Sequence, residues 1–99
     1  VIVRISSNVT LDKYWRSSPG LDTIHVIVGE NTTPVEVTTA PDPVQGQRVV
    51  VTDGDEHASS LPITVNGNGK LINGDPSVVL NIDGMSLSMI YDGEGWRVT

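Results

Sequence analysis

Apolar and polar positions alternate in short runs along this chain, and no segment shows a helical period. Val1, Val3 and Ile5 fall on one side of an extended segment, with Ile2 and Arg4 on the other. Ile24, Val26 and Val28 face one way and Thr23, His25 and Ile27 the other, and Val35-Glu36-Val37-Thr38 alternates as cleanly. Arg48 to Thr52 holds the all-apolar triplet Val49, Val50 and Val51. Ile63 and Val65 bracket Thr64. Val78, Leu80 and Ile82 mark the next strand, Leu87, Met89 and Tyr91 another, and Trp96-Arg97-Val98 the last. Leu11 to Arg16 admits either a short strand or one helical turn, with strand favoured.

Turn chemistry stands between nearly all of these runs. Ser17-Ser18-Pro19-Gly20, Asn66-Gly67-Asn68-Gly69, Asn73-Gly74-Asp75-Pro76, Asp83-Gly84 and Asp92-Gly93-Glu94-Gly95 supply residues that tolerate positive φ or fix it. Ala40-Pro41-Asp42-Pro43 blocks helix and sheet alike. About nine or ten short strands at roughly 8–12-residue spacing predict an all-β fold, an antiparallel sandwich or barrel-like domain. The plainest unit runs from Val49 to Ile63: a buried strand, a polar loop from Asp53 to Ser60, and a returning strand at Pro62-Ile63. It predicts a hairpin.

Ninety-nine residues make a single domain, 1–99, with one modest core. The absence of cysteine excludes disulfides and thiolate metal sites. No apolar run reaches the roughly 20 residues of a membrane span, and no signal-peptide pattern opens the chain, so no membrane partner is expected. A net charge of −6 with six scattered basic residues argues against nucleic acid, whose phosphates demand clustered Lys and Arg. Phenylalanine is absent, which leaves Tyr14, Trp15, Tyr91 and Trp96 as the large aromatic anchors. That is a thin aromatic supply for a self-sufficient core. The Arg48–Thr52 strand would also carry apolar side chains on both faces, as would Ile27 beside Ile24, Val26 and Val28. Burial between subunits answers both, and it makes Ile27, Val49, Val50, Val51, Tyr14, Trp15 and Trp96 the interface candidates.

Candidate chemistry changes little. His25 and His57 are the two imidazoles. His57 with Asp53, Asp55 and Glu56 would be a cation site only if the loop converged on it, and Asp53-Gly54-Asp55 lacks the rest of an EF-hand. A solvated acidic loop is the expected reading. Ser59 and Ser60 lie near His57 without the strained Gly-x-Ser-x-Gly elbow of a nucleophile. No catalytic, metal-binding or cofactor-binding residue is assigned, and the chain reads as a non-enzyme. Asn31-Thr32-Thr33 and Asn8-Val9-Thr10 fit the glycosylation pattern as accidents of a Thr-rich β chain.

The order of pieces in the larger part of the chain resembles a module of small bacteriophage structural proteins, chiefly tail fibres and tail-associated proteins. The resemblance rests on Gly46-Gln47, the apolar strand Val49 to Asp53, Ala58, Pro62-Ile63-Thr64-Val65, the Gly-rich turn Asn66 to Gly69, and the ending Tyr91-Asp92-Gly93-Glu94-Gly95-Trp96. It covers about Asp22 to Thr99 and leaves residues 1–21 outside, as an N-terminal arm or edge strands. Ile72-Asn73-Gly74 and Asp55-Glu56-His57 depart from the family's usual residues. The resemblance implies a structural virion component, tail-, collar- or fibre-associated. It would be a homo-oligomer (trimer or hexamer) with other virion proteins as partners. The alternatives are a capsid-decorating protein and a carbohydrate- or receptor-binding module using Tyr14, Trp15 or Trp96; an exposed ring would favour the latter.

Overall fold

The computed structural model describes residues 1–14 and 23–99. β-branched residues fill the strand interiors and Gly, Asn, Asp and Pro stand between them. Among the described residues the result is nine strands: β1 (Ile2–Ile5), β2 (Val9–Thr10), β3 (Thr23–Val28), β4 (Val35–Thr38), β5 (Arg48–Asp53), β6 (Ile63–Asn66), β7 (Ser77–Leu80), β8 (Ser86–Tyr91) and β9 (Trp96–Val98). No α-helix occurs among the described residues. Leu11–Tyr14 forms a single 3₁₀ turn where a strand was favoured, and Val9–Thr10 pairs as a short strand.

The strands form two mixed sheets, ordered β1-β3-β5-β8-β9 and β2-β4-β6-β7. From β1 to β6 the chain places alternate strands in alternate sheets, so each strand pairs in parallel with the one two places on. Ile2 pairs with His25 and Thr23 with Arg48; Val9 pairs with Val37 and Val35 with Ile63. A parallel pair needs a crossover, and here the crossover segment is itself a strand of the other sheet. After β6 the winding ends. β7 returns antiparallel on β6, β8 antiparallel on β5, and β9 antiparallel on β8.

Three expectations are corrected by this topology. The sheets are mixed where an antiparallel fold was expected. Both end in edge strands (β1 and β9, β2 and β7), so no barrel closes. The Val49–Ile63 unit is no hairpin: β5 has β3 on one side and β8 on the other, and the loop after Asp53 carries the chain to the second sheet, where β6 begins.

Alternation decides which face is buried. The inward positions of both sheets contribute to one apolar cluster that includes Ile24, Val26, Val49, Val51 and Met89 from the larger sheet and Val35, Val37, Ile63, Val65 and Leu80 from the smaller. Leu11 of the 3₁₀ turn and Ile72 of the β6–β7 loop are fully buried in it. The β6–β7 loop starts with a turn in which Lys70 N–H donates to Gly67 C=O at 3.0 Å, with Asn68 and Gly69 both at positive φ (52° and 89°). Two successive positive φ values are the requirement of a type I′ turn, which the Asn-Gly-Asn-Gly run supplies.

Candidate functional site

The residues singled out from the sequence separate into two groups. Val49, Val51 and Trp96 each show 0% exposure and belong to the chain's own core, so they are not the interface residues they were expected to be. The burial of Trp96 also removes its ring from any sugar-stacking role. The cause is register: Val49 and Val51 take the inward positions of β5, between Ile24 and Val26 on β3 and Met89 and Leu87 on β8. Ile27 and Val50 take outward positions of the same sheet and are half-buried. Tyr14 closes the 3₁₀ turn, and Trp15 lies outside the described residues.

Ile27 and Val50 belong to a surface that the sequence does not display as one. The register sets Ile2, His25, Val50 and Ser88 in one cross-strand row and Arg4, Ile27, Thr52 and Ser86 in the next. A third row holds Thr23, Arg48, Ile90 and Arg97. Ile2 is 66% exposed, and Ile27, Val50 and Ile90 are partly so. No Asp or Glu occupies an outward position of these strands, although the chain has 12 acidic residues. Arginines from three separate strands share this face, Arg4 in one row and Arg48 and Arg97 two rows away, although they are scattered in sequence. Arg97 is tied at the margin, its Nε 2.6 Å from Asp92 Oδ2. Arg4 and Arg48 form no ion pair among the described residues. The pattern that could have shown this face is strand alternation combined with the parallel register. The first is legible in sequence and the second is not.

The loop after β5 is organised by a carboxylate that sequence reasoning left in solvent. Asp53 is 2% exposed. Its Oδ2 accepts from Ala58 N–H at 2.8 Å and from Gly84 N–H at 3.0 Å, tying the β5–β6 loop to the β7–β8 turn. His57 is half-buried, with Nε2 2.9 Å from Asn31 Oδ1, so both the loop imidazole and a sequon asparagine are spent on packing one loop against another. Asn31 itself is buried and donates Nδ2–H to Thr33 C=O at 2.9 Å. Asp83 Oδ1 accepts from Ser59 N–H at 2.9 Å. That backbone bond, with the Ser59 hydroxyl and the nearby His57, holds the Asp83 carboxyl below its ordinary value. The charged end of this loop cluster is exposed: Glu56 lies beside Gly84 of the β7–β8 turn, and Asp83 follows Ile82, itself 64% exposed.

A half-open cleft of about 260 Å³ lies at the C-terminal ends of β1, β3 and β5, lined by Arg4, Ile27, Gly54 and Asp55 among others, and continues the sheet face. One side of it is fixed, because Asp55 Oδ2 accepts from Glu30 N–H at 2.6 Å. Ser6 also lines the cleft and has no hydrogen bond to an imidazole or carboxylate. No nucleophile is activated there. Among the described residues, no three His, Asp or Glu groups converge in a way that could hold a metal ion. What the surface offers is an apolar, guanidinium-bearing plane.

No protein-family model matches the chain, and no curated protein matches it.

Proposed function

We propose that this chain is a non-enzymatic structural subunit of a bacteriophage virion, tail-, collar- or fibre-associated, that acts by self-assembly and by docking to other virion proteins. One observation carries the docking part: the outer face of the five-stranded sheet combines partly exposed Ile2, Ile27, Val50 and Ile90 with Arg4 and Arg48, and has no carboxylate among its outward strand positions. Aliphatic groups with arginine and without acidic residues are the composition of an interface centre. The virion part rests on the order of motifs from Gly46-Gln47 to the Asp92-Gly93-Glu94-Gly95-Trp96 ending. Two sheets sharing one core, in a body of 34 × 28 × 19 Å, make a flat sandwich-like block whose broad face suits stacking or ring formation.

Capsid decoration differs only in where the block docks. A carbohydrate-binding module that uses Trp96 is disfavoured, because Trp96 is fully buried; Trp15 lies outside the described residues. Two measurements test the reading. An antiserum against the chain is expected to label the tail of particles of the phage that encodes it. Labelling of the capsid alone supports decoration instead, and unlabelled particles overturn the virion assignment. Native mass spectrometry of the isolated chain is expected to show three or six copies.

A further inference from the structure

We propose that the outer face of the five-stranded sheet is one half of a head-to-side contact between copies of this chain. The other half is the acidic tip around Ile82. The proposal rests on the reading of the chain as a self-assembling subunit, and it names the two surfaces that meet.

The first step is symmetry. A two-fold contact of this face with itself would bring a face holding Arg4 and Arg48 onto an identical one, with no carboxylate at any outward strand position to separate the charges. Like charges across an interface oppose association, so the face is poorly suited to an isologous dimer. Its complement is a different surface, apolar at the centre and acidic around it. With a net charge of −6, the rest of the molecule is rich in acid; exposed Leu71 also stands with Glu94, but Arg97 shares that surface, whereas the charged groups at the Ile82 tip are acidic.

The tip of the β7–β8 turn meets both requirements. Ile82 is 64% exposed, in a turn closed by Met85 N–H donating to Ile82 C=O at 3.0 Å. Asp83 follows it directly, and Glu56 packs beside the same turn, its Cγ 3.7 Å from where a Cβ on Gly84 would stand. The tip is held rigidly, because Asp53 bonds both Ala58 N–H and Gly84 N–H, and Asp83 bonds Ser59 N–H. One exposed aliphatic group and two exposed carboxylates therefore share a preorganised loop pair. It matches aliphatic side chains flanked by two unpaired guanidinium groups.

A contact between two different surfaces of one chain is heterologous. It propagates until the rotation closes a ring, or continues as a filament. A ring of three or six copies is the closed form expected of this subunit.

The test uses charge reversal in the full chain, read by light scattering after size exclusion at low ionic strength. Arg48→Glu places an acid on the face, and Glu56→Arg places a base at the tip. Both positions are exposed, so far-ultraviolet dichroism and the thermal midpoint are expected to stay at the wild-type values. Each variant alone is expected to need about tenfold or more protein to assemble, because one member of every contact is reversed. The double variant Arg48→Glu/Glu56→Arg is expected to recover assembly, since it restores a complementary pair at every contact whatever the ring size. Ile82→Ser removes the knob without changing charge and is expected to weaken assembly as well. If the wild type assembles and all three variants assemble equally well, these surfaces are not the contact, while the self-assembly reading stands. Single variants that fail without recovery in the double variant overturn the pairing of Arg48 with Glu56. A wild-type chain that stays monomeric overturns both this contact and the self-assembly reading.

Discussion

The ring of Tyr91 sits 5.3 Å, centroid to centroid, from the ring of Trp96, tilted by 59°. The two residues are directly opposite on β8 and β9, across the turn that Asp92 and Gly95 close by a 3.0 Å backbone bond. Trp96 also bridges to the segment beyond the sheet: its N–H donates to Leu71 C=O at 2.8 Å, and its C=O accepts from Asn73 N–H at 2.9 Å. Trp96 thus joins β8 and β9 to the β6–β7 loop, its backbone through these two bonds and its buried ring through packing. Trp96→Ala is expected to cost about 3–5 kcal/mol, a large share of a small domain's stability, as measured by urea unfolding. Tyr91→Leu keeps most of the buried area and forfeits about 0.5–1.5 kcal/mol of ring–ring preference. A Trp96→Ala protein with an unchanged urea midpoint would show that the indole is not a packing anchor.

Asp53 is the second point on which distant loops depend. Removing its carboxylate leaves the buried Ala58 N–H without an acceptor and releases the Gly84 N–H. Asp53→Ala is expected to lower stability by about 2–3 kcal/mol. Amide exchange should accelerate first in residues 54–60 and 82–85. Asp53→Asn retains an acceptor oxygen for both donors and is expected to lose less. Equal exchange rates in wild type and Asp53→Ala would separate the loops from the carboxylate.

These two anchors show what was legible from the residues. The aromatic pair follows from the Tyr91-Asp92-Gly93-Glu94-Gly95-Trp96 spacing, because a tight turn with flanking rings allows few arrangements. Strands such as Thr23–Val28 and Val35–Thr38 follow equally well from period-two alternation. Burial of Asp53 was hidden because the two N–H groups that donate to its Oδ2 lie five and thirty-one positions away, the latter in another turn. Parallel pairing was hidden for a related reason. Alternation shows which side of a strand is apolar but carries no information about its neighbour, so β5 and β6 read as a hairpin when each in fact pairs within its own sheet. The docking face inherits that limit. Arg4, Arg48 and Arg97 are unrelated in sequence and become neighbours of one surface only through the registers of β1 with β3, β3 with β5, β5 with β8, and β8 with β9.

Gly67 is required for lack of a side chain. A Cβ there would collide with the Lys70 carbonyl oxygen, the backbone partner across the turn, and would press on Ile72 Cγ1 at 3.4 Å. Neither obstacle is a flexible chain end, since Ile72 is fully buried and Lys70 N–H already bonds Gly67 C=O. Gly67→Ala is therefore expected to open the turn and destabilise by about 1–3 kcal/mol, as overpacking does. Gly69→Ala meets no neighbouring atom but keeps a left-handed φ of 89°, so its cost is conformational and smaller, about 1 kcal/mol. Thermal unfolding of the two variants side by side checks the order.

Asp92 links the β8–β9 turn to pH. Its Oδ1 accepts from Glu94 N–H and Gly95 N–H, both at 2.8 Å, and its Oδ2 faces Arg97 Nε at 2.6 Å. The Gly95 backbone bond, then the Arg97 side chain and the Glu94 backbone bond, hold the carboxyl well below the ordinary aspartate value of 3.8. A carboxyl depressed in the folded state stabilises the fold above its unfolded pKa, and this contribution is lost as pH falls through the interval down to the folded value. Arg97, raised by the same contact, stays protonated throughout that range and adds no slope there. The wild-type urea midpoint is thus expected to hold from neutral pH to about 5 and to decline below about 4. Asp92→Asn keeps an amide oxygen for the two turn N–H donors and removes the titration. Its midpoint is expected to fall less steeply below about pH 4. High salt is expected to narrow the difference between the two curves, because the Asp92–Arg97 pair is exposed and screened. Parallel acid slopes for wild type and Asp92→Asn would place the acid sensitivity elsewhere, with Asp83 the next carboxyl to vary.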